Sequence, residues 1–174
     1  MPITFNSNNR KVLDALRDLI IDEFPGTPVV FEDPERLRPK FSQFFNIIPG
    51  ESVVLERYAG SSLREYEAFI RFYLRKPRLD NFKTNLFDYM SNIGERLTKL
   101  ILNNNKYEDT RDSFSENLDG FGELPDPFVT VRTYRWHHGR IESIDYNPSR
   151  SDREDKRDLQ IFEATFLCNV QENI

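Results

Sequence analysis

An α+β fold, in which a mostly antiparallel β-sheet is covered on one face by two amphipathic helices, is the architecture this sequence predicts. Three observations carry the expectation. Two segments repeat apolar residues at the three-and-four spacing of a helix face. Residues 64–75 alternate with the period of two that marks a strand. The strand candidates are joined mainly by short turn signals, which favours antiparallel neighbours with helices packed on one side.

The first helix is expected over residues 8–24. Val12, Leu13, Leu16, Leu19, Ile20 and Phe24 form one stripe, Ser7 or Asn8 caps the start, and Pro25-Gly26 stops it. Pro28 to Phe31 is a short strand candidate. Residues 32–40 hold Pro34, Pro39 and several charges and read as a loop. Phe41 to Ile48 reads as extended, Pro49-Gly50 imposes a turn or bulge, and Val53 to Tyr58 continues in β-type residues. Ala59-Gly60-Ser61-Ser62 is a hairpin signal.

The strand that follows places Tyr66, Ala68, Ile70, Phe72 and Leu74 on one face. Glu65, Glu67, Phe69, Arg71, Tyr73 and Arg75 fall on the other. The second helix is expected over residues 80–103, capped by Asp80, with Phe82, Leu86, Tyr89 or Met90, Ile93, Leu97, Leu100 and Ile101 on its stripe and Asn103-Asn104-Asn105 at its end. Residues 106–127 show no period and are read as a loop. A hairpin is expected next, from Phe128–Trp136 through a turn at His137-His138-Gly139-Arg140 into Ile141–Tyr146. A charged loop, 148–158, leads to a last strand, Leu159–Val170, with Phe162, Ala164, Phe166, Cys168 and Val170 on one face.

Length and composition fit one domain over residues 1–174, with a long acidic loop at about 103–127. Fifteen Phe and seven Tyr supply core material that disordered chains lack. The net charge is −5 and Lys and Arg are not concentrated in a stripe, which disfavours a nucleic-acid reader. One cysteine excludes an intramolecular disulfide. No basic segment precedes an apolar run at the start, and no apolar run reaches membrane-spanning length. The expectation is a chain that stays in the cytoplasm at synthesis and has no membrane partner.

Catalytic and metal chemistry finds few candidates. His137 and His138 sit at an expected turn, and neither C-x-x-C nor H-E-x-x-H occurs. Cys168 lies on the inward face of an apolar strand, where a thiol packs rather than reacts. No phosphate-cradling glycine motif is present. The acidic loop lacks the spacing of a calcium loop. Glu65, Glu67 and Glu163 form a carboxylate site only if their strands are neighbours. The expectation is therefore no catalytic residue, no metal and no cofactor.

Four stretches carry a resemblance. They are the helix from Asn9 to Phe24 leading through Pro25-Gly26 to Val29–Phe31; the hairpin at Ala59-Gly60-Ser61-Ser62 leading into the alternating strand Arg64–Leu74; the long helix Asn81–Leu102; and the closing pair Ile141–Tyr146 and Asp158–Leu167. In element order, over most of its length, the chain resembles the tail terminator (tail completion) proteins of long-tailed bacteriophages. The insert 103–127 and the strand 128–136 are longer than the smallest members carry.

The resemblance implies a structural virion protein of the tail and neck, assembled in the host cytoplasm. It implies a homo-oligomeric ring, a hexamer, that caps the head-proximal end of the tail tube and ends tube polymerisation. Its implied partners are copies of itself, the tail tube protein, a head-completion or connector protein and, in a contractile tail, the sheath protein. Viral DNA only passes through the lumen, which suits an acidic protein. Under this reading the hairpin Pro49–Ser62, with Arg57 and Tyr58, reaches a neighbour or the tube. The loop with Asp112, Glu116, Asp119, Glu123 and Asp126 faces the lumen or an axial partner. The alternatives are another head–tail connector or adaptor, a small ligand-binding or enzymatic α+β domain, and a regulatory domain.

Overall fold

The computed structural model describes residues 8–31, 41–75, 86–109, 133–146 and 159–173. The elements are α1 (Asn8–Glu23), β1 (Val29–Val30), β2 (Gln43–Tyr58), β3 (Ser61–Arg75), α2 (Leu86–Asn103), β4 (Tyr107–Asp109), β5 (Thr133–Asp145) and β6 (Leu159–Asn173). The strands join one six-stranded sheet in the order β1-β2-β3-β6-β5-β4. All neighbouring pairs are antiparallel except β1 with β2, which is parallel. The α+β architecture expected from the sequence is the one observed.

Both helices lie on the same face of that sheet. Val12, Leu13, Leu16 and Ile20 of α1 and Met90, Ile93, Leu97 and Ile101 of α2 share a buried cluster with Phe45, Ile47, Ile70, Phe72, Phe162 and Phe166. Each fully buried Leu, Ile or Phe contributes about 1.5–3 kcal/mol of transfer free energy. α1 ends where Gly26 takes φ +81°, a conformation that costs a glycine little, and Thr27 N donates back to Phe24 O at 3.1 Å. The guanidinium of Arg96 on α2 lies 4.5 Å above the Phe24 ring and donates to Glu23 Oε1 at 2.9 Å and Glu23 O at 2.8 Å. These contacts tie the last turn of α1 to α2.

The alternating strand β3 follows its expected facing. Tyr66, Ala68, Ile70 and Phe72 are buried toward the helices. On the other face, Phe44, Tyr73 and Ile161 form a second, smaller buried cluster, with the Phe44 and Tyr73 rings stacked at 4.7 Å. Pro49-Gly50 produces a bulge rather than a turn: pairing with β3 shifts between Pro49 and Ser52, and again between Val54 and Glu56. The strand runs on through both irregularities.

Two expectations are corrected. Residues 107–109 are not loop: Tyr107–Asp109 forms the edge strand β4, paired with β5. Three residues are too few to show a period, so this strand has no sequence signal. His137-His138-Gly139-Arg140 is not a hairpin turn either. Thr133 to Asp145 is one strand, and its pairing with β6 shifts between His137 and Arg140 while His138 takes φ +52°. The histidines and Gly139 make a bulge that keeps the chain in the sheet. Of the expected strand 128–136, the part before residue 133 lies outside the described residues, as do Asp80, Phe82 and the loops 32–40 and 148–158.

Gly94 marks where α2 meets β5. A Cβ there would lie 3.2 Å from Tyr146 Cζ and 3.3 Å from Ile144 Cδ1, and closer still to the Tyr146 hydroxyl. A glycine inside an exposed helix normally costs about 1 kcal/mol relative to alanine. Here the close approach reverses the sign. Gly94→Ala is expected to destabilise by about 1–3 kcal/mol, the range for overpacking. Adding Tyr146→Phe should recover part of that loss in urea denaturation, because it removes the nearest atom.

Candidate assembly surface

The hairpin β2–β3 combines exposed apolar side chains with an edge that, among the described residues, is unpaired beyond Asn46. Its turn is Ala59-Gly60, where Gly60 takes φ +86°, and Tyr58 pairs with Ser61 across it. The first half of β2 is core: Phe44, Phe45, Asn46 and Ile47 are all buried. After the Pro49 bulge, the strand is no longer buried. From Glu51 to Tyr58 every residue is exposed or half-buried. Val53, Leu55 and Tyr58 are 51%, 45% and 54% exposed.

Among the described residues, the outer edge of this arm is also open. β1 pairs with β2 only at Phe45 and Asn46. Among the described residues, no strand pairs with that edge beyond Asn46. Among the described residues, no strand takes up the backbone donors and acceptors of residues 50–58 on that side, the kind of edge that strand addition uses. The edge also carries features that discourage indiscriminate pairing. Pro49 has no N–H, two bulges interrupt the ladder, and Glu51, Glu56 and Arg57 place charges along it. Exposed apolar side chains beside these guards suit a selective contact rather than a sticky one.

β6 pairs with the β3 strand of the arm as far as Ser61, and side chains brace the arm near its tip. On the helix-facing side, the Glu172 carboxylate of β6 accepts from Asn8 Nδ2 at 3.3 Å, Arg64 Nε at 3.3 Å and Ser62 Oγ at 3.5 Å, and from the Tyr66 hydroxyl. Arg64 Nη1 reaches Ser52 Oγ of β2 at 3.2 Å. One carboxylate thus joins β6, β3 and the start of α1, and Arg64 extends the network to β2. Burial alone would raise the Glu172 carboxyl, but the hydrogen bonds from Tyr66 and Asn8 and the charge of Arg64 outweigh it and hold it below its ordinary 4.5. Burial and the neighbouring carboxylate push the Tyr66 phenol above its ordinary 10.0.

The signs follow from linkage. The lowered Glu172 gives stability that is present above pH 4.5 and lost as pH falls through its folded value. The raised Tyr66 gives stability that is present below pH 10 and lost at higher pH. Glu172→Gln is expected to lower stability between these limits by about 1–3 kcal/mol, the cost of leaving buried donors poorly paired. It should also flatten the acid limb of the stability curve, as read by denaturant titration at a series of pH values.

The opposite face of the sheet brings together the acids singled out from the sequence. β3 and β6 are neighbours, yet Glu65, Glu67 and Glu163 do not converge. Glu163 pairs with Arg71 at 2.5 Å and Glu65 with Arg140 at 3.1 Å, while Glu67 Oε2 accepts from Glu51 N at 3.2 Å. Each carboxylate is engaged separately, and exposed pairs of this kind contribute little to stability. No group of three or more His, Cys, Asp or Glu among the described residues could hold a metal ion. Cys168 is fully buried, and burial pushes its thiol up, away from the reactive thiolate. Burial and the nearby charges of Lys106 and His138 push His137 down from 6.5.

Of the residues expected to form an assembly surface, Arg57 and Tyr58 stand at the tip of the arm, opposite Ser62 and Ser61, and both are exposed. Asp112, Glu116, Asp119, Glu123 and Asp126 lie outside the described residues. Val53 and Leu55 belong to the same surface, although sequence reading did not single them out. Their signal was the unbroken run Val53-Val54-Leu55, which puts apolar side chains where an alternating strand has a polar face. No helix among the described residues is long and apolar enough to cross a membrane. No protein-family model matches this chain, and no curated protein matches it.

Proposed function

We propose that this chain is a structural virion protein. It assembles with copies of itself into a ring, a hexamer, at the head-proximal end of a phage tail tube. There it ends tube polymerisation and joins the tail to head-completion proteins. The observation that carries the proposal is the β2–β3 arm, which is backed by β6 along β3, exposed along Glu51–Tyr58, and unpaired on its outer edge beyond Asn46 among the described residues. An arm of this kind suits strand addition by a neighbouring subunit or by the tube. The tail-terminator form of the proposal rests on the resemblance in element order along the sequence.

The test is a tube-growth assay. Tail tube protein is allowed to polymerise with and without this chain, and tube lengths are measured by electron microscopy. Shorter tubes carrying a cap at one end are expected. Tubes of unchanged length with no end density would overturn the capping role and favour a different connector position.

A further inference from the structure

We draw no further inference here: the strongest candidate, the outer edge of β2 from Pro49 to Tyr58, unpaired among the described residues and carrying the exposed Val53, Leu55 and Tyr58, belongs to the assembly surface already described, and nothing in the structure shows what covers it.

Discussion

Replacing Trp136 with alanine should destabilise the chain by about 3–5 kcal/mol, the usual cost of removing a buried tryptophan. Trp136 is fully buried on β5. Its ring stacks on Tyr107 of β4 at 4.9 Å and meets Phe166 of β6 edge-on at 5.3 Å. Its Nε1 donates to Asn104 O at 2.9 Å, just past the end of α2, and Gly139 N donates to Asn105 O at 2.7 Å beside it. The indole therefore links the end of α2, the edge strand and the β5 bulge. The bulge is shaped around it: a Cβ on Gly139 would lie 2.5 Å from Trp136 Nε1 and 2.9 Å from Cδ1.

Each kcal/mol moves the melting temperature of a chain this long by about 2–4 °C, so Trp136→Ala should lower it by roughly 6–20 °C. Trp136→Phe should keep much of the packing but leave the Asn104 carbonyl unpaired, at about 1–3 kcal/mol. Calorimetry separates the two. A Trp136→Ala protein that melts within 2 °C of the wild type would show that this junction is not held by the indole.

The second large effect is expected on assembly rather than on folding. Val53→Asp with Leu55→Asp places two charges on side chains that are about half exposed. Surface changes away from the core usually shift stability by no more than about 0.5 kcal/mol each, so the double variant should melt within a few degrees of the wild type. If these side chains are covered in the assembly, desolvating two carboxylates should weaken association by at least 100-fold, or about 2.7 kcal/mol. Sedimentation velocity over a dilution series, beside circular dichroism, reads both quantities. A folded variant that associates like the wild type would remove the arm from the interface.

Much of the fold was legible because its elements are long and regular. The stripe of α1, the stripe of α2 and the alternation of β3 and β6 each repeat over several periods, so local pattern and tertiary burial agree. Where the structure departs from sequence reading, the cause is local geometry. His137-His138-Gly139-Arg140 has the composition of a turn, but Trp136 and Ile141 on either side are held in one strand by β6 and by the contact to Asn105. Tyr107–Asp109 becomes a strand only because β5 lies beside it. The site was legible in part. Arg57 and Tyr58 follow from the hairpin signal, whereas the exposure of Val53 and Leu55 depends on which strands and side chains lie beside them in the sheet. That neighbourhood is a tertiary property that no local spacing encodes.

The central claim is self-assembly through the β2–β3 arm, and native mass spectrometry of the purified chain over a range of concentrations tests it most directly. The wild type should populate one closed species of fixed copy number, six on the proposal, and the Val53→Asp, Leu55→Asp variant should remain a folded single copy. A wild type that stays a single copy at every concentration, or a variant that forms the same ring, would contradict it.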